Sequence, residues 1–436
     1  MSPVAGVDVP LLPDSKSAEK AASVSGALFN VATSIIGAGI MSIPATIKVL
    51  GVIPAFLMIL IIGVLAEVSV DFLMRFTHSG ETTTYAGVMK ESFGPAGAVI
   101  TQVCVMITNL GCLIMYQIII GDVLSGNQSE GEAHLGILQQ WFGFHWWTSR
   151  DFAMLFTLVF IMLPLALYKR VESLRFSSAI STLLAVAFVG ICSGMAIAAL
   201  AQGKIHIPRL LPQLDHQTSF FDLFTAIPVI VTAFTFHFNV HPIGFELAKP
   251  SDMMCAVRVA LILCAAIYFA IGVFGYLLFG DTIQSDILIN FDQNTGSAVG
   301  SLLNNLVRLS YAFHVMLVFP LLNFSLRANI DELLFPNKRQ LAKDTKRFVI
   351  LTLVLLFFSY LIAIALPDIW YFFQLVGSTS ALCLAFIFPG AIALRDAHGI
   401  SKRKDKIIAL IMVLLAVVAS ANAISINIYN SFSDKP

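Results

Sequence analysis

The chain has 436 residues, of which 58% are hydrophobic and only 12% charged. Soluble domains carry about 25% charged residues, so this composition excludes a soluble globular protein and describes one that crosses a membrane many times. Basic and acidic side chains balance at 26 each, which leaves no basic surface for nucleic acid.

Residues 1–22 are polar and read as a cytosolic disordered tail. No cleavable signal peptide is expected, so the first span would act as the insertion signal. Within the tail, Asp8-Val9-Pro10-Leu11-Leu12 has the form of an acidic dileucine signal, which sorting adaptors would read. It favours residence in a vacuole or other endomembrane, with the plasma membrane as the alternative.

Eleven apolar spans follow, at about 23–45, 53–76, 96–122, 151–167, 176–201, 223–248, 255–279, 298–326, 348–366, 369–394 and 406–429. Span one reads badly as one helix. Gly37 and Gly39 each cost a helix about 1 kcal/mol relative to Ala, and Thr33 and Ser34 precede them. Lipid-buried backbone must be paired, so a break here must line a cavity, as the broken helices of secondary transporters do. A small-residue packing face built on Thr33, Gly37 and Met41 is the alternative. Span two carries Glu67, Asp71 and Arg75. Asp71 and Arg75 are four apart and suit a surface pair; Glu67 lies a turn deeper, where a carboxylate must be protonated or paired. The polar stretch Gly80 to Phe93 is too short to span and suits an interfacial helix.

Span six is the second break candidate. Pro242 removes a donor and disfavours helix at His241, while Asn239, His237 and His241 are too polar to face lipid. Breaks in spans one and six are corresponding positions if five spans repeat as an inverted five, and that points to a midplane site between two discontinuous helices. Arg308, inside span eight, needs an acidic partner or a route to the surface. Twenty of the 26 Lys and Arg residues fall on one side if the N-terminus is cytosolic, and eleven spans then place the C-terminus in the lumen or outside the cell. The sequon Asn127-Gln128-Ser129 in the loop 125–150 agrees, and makes Asn127 the glycosylation candidate. The six cysteines all lie in or beside apolar segments, without metal spacing, and no disulfide or metal site is expected.

At this point the sequence resembles a known family. Phe29-Asn30, Ile36-Gly37-Ala38-Gly39-Ile40 and Ile43-Pro44 resemble the first-helix signature of the amino acid/auxin permease family. Phe236-His237-Phe238-Asn239-Val240-His241-Pro242-Ile243 resembles its sixth helix. Arg308 through Pro320, then Arg327 and Leu333-Leu334-Phe335-Pro336, resembles its eighth, and Gly377-Ser378-Thr379-Ser380 with Phe386-Ile387-Phe388-Pro389 its tenth. The match runs in order from about residue 23 to 429 and is nearest the plant and fungal vacuolar-type branch, close to the sodium-coupled neutral amino acid transporters. The resemblance implies an all-α polytopic membrane protein with a LeuT-like 5+5 inverted repeat. Residues 23–201 and 223–394 would be the repeats, and 406–429 an eleventh helix. It implies amino acid transport by alternating access, with no cofactor and no enzyme chemistry.

An amino acid brings a carboxylate and an ammonium. The carboxylate suits free N–H groups at a half-helix N-terminus, here those of Gly37, Ala38, Gly39 and Ile40. The ammonium suits freed carbonyls, assigned to Thr33, Ser34 and the segment from Phe234 to His237. The substrate side chain would meet Phe234, Phe236, Phe238 and Asn239. For coupling, the resemblance places Thr33 and Met316 where sodium-coupled relatives have an asparagine and a hydroxyl. A thioether is a poor sodium ligand, although Ser310 lies nearby. His314 and His237 sit at midplane depth and titrate near physiological pH, so protons are the favoured coupling ion, with sodium the alternative. Glu67 is a further coupling candidate. A neutral histidine bonded between helices is the bland alternative for each ring. A rival from another class is an amino-acid sensor with little flux.

Overall fold

The computed structural model describes residues 24–129, 132–168, 175–213, 220–245, 247, 252–292, 298–336, 338 and 341–433. The dileucine motif lies outside them. The described chain is helical apart from one short antiparallel hairpin. Its first four helices are α1 (Val24–Ile35), α2 (Gly39–Leu50), α3 (Val52–Ser79) and α4 (Tyr85–Ser125). The hairpin β1 (Asn127–Ser129) and β2 (Glu132–His134) pairs Asn127 with His134. Then come α5 (Ile137–Phe142), α6 (Arg150–Thr157), α7 (Leu163–Ala166), α8 (Arg175–Ala201), α9 (Ala226–Ala233) and α10 (His237–Phe245). The last group is α11 (Asp252–Phe279), α12 (Ile287–Asn290), α13 (Ala298–Leu334), α14 (Thr345–Ala365), α15 (Ile369–Val376), α16 (Phe388–Arg395) and α17 (Arg403–Ser433).

Local chemistry sets several of these boundaries. Thr84, Asp286, Asp344 and Asp368 each accept from a backbone N–H in the first turn of α4, α12, α14 and α15. Gly94, at φ 70, breaks α4 into a short first limb and a membrane-crossing second limb led by Pro95. The first limb is the helix expected between Gly80 and Phe93. All six cysteines are free.

Nine helices among the described residues are long and apolar enough to cross a membrane, and α1 with α2, bent by 58°, makes a tenth crossing. The remaining expected span, 151–167, is α6 and α7 joined by a π-type turn at Leu158–Met162. At 1.5 Å per residue such a run reaches only about 25 Å. The long helices divide by burial. The crossings in α4 and α13 are 67% buried and the one through α15 and α16 is 72%, against 22% for α8 and 28% for α17. The inner group therefore surrounds α1/α2 and α9/α10, and the outer group meets lipid.

Span six is interrupted at Phe234 to Phe236, between the end of α9 and the start of α10 at His237, inside the stretch whose freed carbonyls the sequence assigns; Pro242 sits inside α10. Leu223–Gly244 still counts as one crossing, and α9 with α10 is not bent by more than 40°.

Candidate functional site

The two breaks face each other in the inner bundle. α1 closes at Ile35 and α2 opens at Gly39; α9 closes at Ala233 and α10 opens at His237. A Cβ on Gly39 would stand 2.5 Å from the Ala233 Cβ and 2.6 Å from its Cα, so α2 and α9 touch backbone to backbone. Asn239 Nδ2 donates to Ser34 Oγ at 3.2 Å and ties α10 to α1. The Ser34 hydroxyl also donates to Asn30 O. Four half-helix ends thus meet in one place.

Each break leaves polar backbone to satisfy. Two tyrosines from the surrounding helices serve it, and a third stands close by. Tyr268 on α11 reaches two carbonyls with one hydroxyl, Ile35 O at 2.7 Å and Ala233 O at 3.0 Å. Tyr311 on α13 donates to Gly37 O at 2.5 Å. Tyr116 on α4 brings its hydroxyl to within 2.6 Å of where a Gly37 Cβ would stand. Gly37 is therefore required by close approach rather than by its φ angle.

The donors are treated differently. The first turn of α2 closes from Ile40 onward, Ile40 N to Gly37 O at 3.4 Å and Met41 N to Ala38 O at 3.0 Å. The N–H groups of Gly37, Ala38 and Gly39 precede that closure, and no carbonyl or side chain among the described residues accepts from them. Ile40, grouped with them from the sequence, already has a weak acceptor. On the other break, Asn239 N donates to Phe236 O at 2.8 Å, so that carbonyl is occupied too. Phe234, Phe236 and Phe238 are buried, and Phe234 stands edge-on to Tyr268 with ring centroids 5.2 Å apart.

The histidines separate into three places. His237 Nε2 lies 2.6 Å from Ser69 Oγ on α3. His241 Nε2 lies 2.9 Å from Thr77 Oγ1, beside a cavity of about 100 Å³ lined by Met74, Thr77, His78 and Met253. His314 Nδ1 lies 2.9 Å from Ser181 Oγ and 2.8 Å from Ser181 O on α8. One residue further, Thr182 Oγ1 is 3.3 Å from Thr33 Oγ1. His314, Ser181, Thr182 and Thr33 therefore form one polar group between α1, α8 and α13. Ser310 spends its hydroxyl on Val307 O of its own helix, and Met316 is buried. Glu67 belongs to neither group: it pairs with Arg258 at 2.7 Å on the surface of the bundle. Asp71 pairs with Arg75 at 2.9 Å, and Arg75 also holds Asp405.

Tyr116, Tyr268, Tyr311, Ser69, Ser181 and Thr182 were not singled out from the sequence. Their shared signal is a hydroxyl inside an apolar span.

An inner bundle built around two interrupted helices that meet at mid-depth defines a polytopic membrane protein of the LeuT-like class. The solved structure of MhsT in complex with L-phenylalanine is similar over 93% of this chain and 99% of that one, with TM-score 0.60 and 13% identity. A manganese transporter from Eremococcus coleocola is similar over 95% and 88%, with TM-score 0.60 and 15% identity. Residues 20–431 match the model of the transmembrane amino acid transporter protein family, and the chain belongs to that family. It is 61% identical over 416 residues to amino acid transporter AVT6C of Arabidopsis thaliana, covering 95% of this chain and 96% of that one. It is 27% identical over 393 residues to sodium-coupled neutral amino acid transporter 7 of Danio rerio, covering 84% and 77%. The relatives are named as transporters, and the chain is a transporter-family protein rather than an enzyme.

Proposed function

We propose that the chain is a secondary active transporter of free amino acids that works by alternating access and is driven by protons. Residues 23–201 and 223–394 are its two inverted repeats, and the N-terminus is cytosolic. It resides in a vacuolar or other endomembrane. The observation that carries this reading is the facing pair of breaks, with unoccupied N–H groups at Gly37, Ala38 and Gly39 opposite the carbonyl ends at Ile35 and Ala233. Donors on one side and acceptors on the other match a zwitterion of one carboxylate and one ammonium. The names of the relatives support the substrate class.

Proton drive is supported by His237 and His314, each buried and each bonded to a hydroxyl beside the inner helices. One observation favours sodium instead: the Thr33 and Thr182 hydroxyls stand 3.3 Å apart, and one relative is named sodium-coupled. Purified protein in liposomes separates the readings. Labelled amino acids should exchange against unlabelled ones, and accumulation should follow a pH gradient with choline in place of sodium. Accumulation that stops under choline at constant pH supports the sodium reading. No exchange for any amino acid would leave a sensor as the better description.

A further inference from the structure

A second polar cluster lies away from the breaks, at the end of the bundle that carries the hairpin and α12. Asp286 is fully buried there. Its Oδ1 caps α12 by accepting from Leu288 N at 2.9 Å, and its Oδ2 has no partner among the described residues. Arg308 on α13 is 1% exposed and donates only from Nη2, to Leu135 O at 2.8 Å and Val123 O at 3.3 Å. Its Nε and Nη1 are unpartnered, and no carboxylate among the described residues lies within ion-pair distance. Buried Asp122 at the end of α4 is held by Arg150, which also donates to Gly126 O at 3.1 Å. Asp292 accepts from Leu135 N at 3.2 Å and pairs with His134 at 3.0 Å. Arg308 therefore makes no direct ion pair among the described residues and is buried away from the surface; Asp292, Asp286 and Asp122 act on it only from beyond ion-pair distance.

Charge does not balance in this cluster. Asp122, Asp286 and Asp292 face Arg150 and Arg308, so among the described buried and half-buried groups three carboxylates meet two guanidiniums, with His134 paired to Asp292 and Tyr311 beside Asp286. Lys48 of α2 reaches Ile283 O at 3.2 Å, and half-exposed Arg209 and exposed Asp281 form their own group with the buried Tyr276 at the end of α11. Asp368 faces Asp122 from the loop before α15. One excess negative charge in a dry site is unfavourable, and a single proton removes it. Asp286 is the carboxyl with the weakest compensation, and burial pushes it up to about 8.

The position of Asp286 ties that proton to the transport path. The neighbouring Ser285 O accepts from Ser42 of α2 at 2.6 Å, and α12 packs on α2 and α4. Tyr311, which holds Gly37 O, lies one turn from Arg308 on α13 and faces the same carboxyl. α12 thus covers the half-helix that begins at the break.

We propose that Asp286 is a proton-binding site that latches α12 onto α2 and α4, closing the hairpin end of the bundle as a mouth of the transport path. Its carboxyl must be neutral for α12 to seat on α2 and α4. When the mouth opens, water solvates the carboxylate and the proton leaves to that water. The inference rests on the transport reading, but it holds for either driving ion.

The test is amino acid exchange in liposomes at equal pH on both faces, which needs no gradient. Wild-type exchange is expected to fall by up to about tenfold per pH unit above the titration point, as one bound proton requires. Asp286→Asn should show a pH-independent rate over that range, and Asp286→Glu should restore a pH dependence with a displaced midpoint. Asp122→Asn removes a neighbouring negative charge and should move the midpoint to lower pH. Should Asp286→Asn not give monodisperse protein, the Asp286→Glu and Asp122→Asn midpoints decide alone. The proposal is overturned if Asp286→Asn keeps the wild-type profile, if neither midpoint moves, or if His134→Gln flattens the profile and Asp286→Asn does not. Absence of exchange in the wild type at every pH would instead strike the transport reading itself.

Discussion

Gly39→Ala adds one carbon at the tightest approach in the site. The new Cβ would lie 2.5 Å from the Ala233 Cβ and 2.6 Å from its Cα, where ordinary van der Waals separation begins at 3.4 Å. α2 and α9 must therefore part by roughly 1 Å, and neither neighbour atom is a flexible tip that could swing aside. The Tyr268 hydroxyl now spans Ile35 O at 2.7 Å and Ala233 O at 3.0 Å, and such a shift takes the second bond beyond hydrogen-bond range. Overpacking costs about 1–3 kcal/mol and the lost bond about 1, against a gain of about 1 from replacing glycine in a helix. A net loss of about 1–3 kcal/mol should leave the protein folded. A displacement of about 1 Å between groups that hold one ligand can lower a rate about 100-fold, and Gly39→Ala is expected to do so in liposome uptake. Gly39→Val should abolish uptake while the protein still inserts. The added carbon meets Ala233, which is a different effect from filling space that a substrate carboxylate would take. The double variant Gly39→Ala, Ala233→Gly separates these accounts. It should recover part of the activity, because the clash between side chains is relieved while the backbone of residue 233 still crowds the added carbon. Uptake by Gly39→Ala within about twofold of wild type would refute the reasoning.

Tyr268→Phe removes the one hydroxyl shared by both half-helix ends, leaves two buried carbonyls unmatched and should cost about 1–3 kcal/mol in a denaturation assay, with weaker amino acid uptake. His237→Ala and His314→Ala are expected to weaken the dependence of uptake on a pH gradient more than the apparent substrate affinity, measured as initial rates over a substrate range at several pH values. Asp286 also makes a stability prediction. Its carboxyl, raised from 3.8 to about 8, keeps a proton in the folded protein that the unfolded chain releases. The melting temperature should therefore fall as pH rises between those values and level off above, and Asp286→Asn should remove that slope. The proposed topology predicts Asn127 glycosylated in a eukaryotic membrane and a tag after Pro436 on the lumenal or outer face; a C-terminal tag cut by a cytosol-restricted protease would remove the proposed eleven-span arrangement.

The break in span one was legible because its cause is local. Gly37 and Gly39 weaken the helix by residue type alone, and the chain bends there by 58°. The break in span six falls at the segment assigned from the sequence, Phe234 to His237, but its cause is not the local one. Pro242 is the strongest local signal, yet α10 runs through it, and only one carbonyl of its first turn goes without a donor. The ladder opens instead at Phe234 to Phe236, beside the α2 backbone and the Tyr268 hydroxyl, both contributed by remote parts of the chain. The same distance hid the partners of the histidines. A buried histidine could be read from composition and depth; Ser69 and Ser181 lie 168 and 133 residues away and carry no mark of the pairing. Glu67 was a coupling candidate because its depth was judged along one helix, whereas Arg258 from α11 reaches it at the surface.

The treatment of donors and acceptors at the breaks is unequal, and that inequality bears on how a zwitterion would enter. Ile35 O, Gly37 O and Ala233 O are each held by a tyrosine hydroxyl, while the N–H groups of Gly37, Ala38 and Gly39 are left open. A carboxylate would find its donors free and would add hydrogen bonds without breaking any. An ammonium would compete with Tyr268 for Ile35 O and Ala233 O, and with Tyr311 for Gly37 O. On the proposed reading the hydroxyls hold the carbonyls that the ammonium would take, and they satisfy carbonyls that lipid or apolar side chains could not. Tyr268 sits on α11 and Tyr311 on α13, so displacing their hydroxyls loosens the broken helices from two neighbouring crossings at once. On the proposed reading, arrival of the substrate nitrogen is the event that exchanges internal hydrogen bonds for substrate bonds, and the helix ends are then held to the ligand rather than to the surrounding bundle.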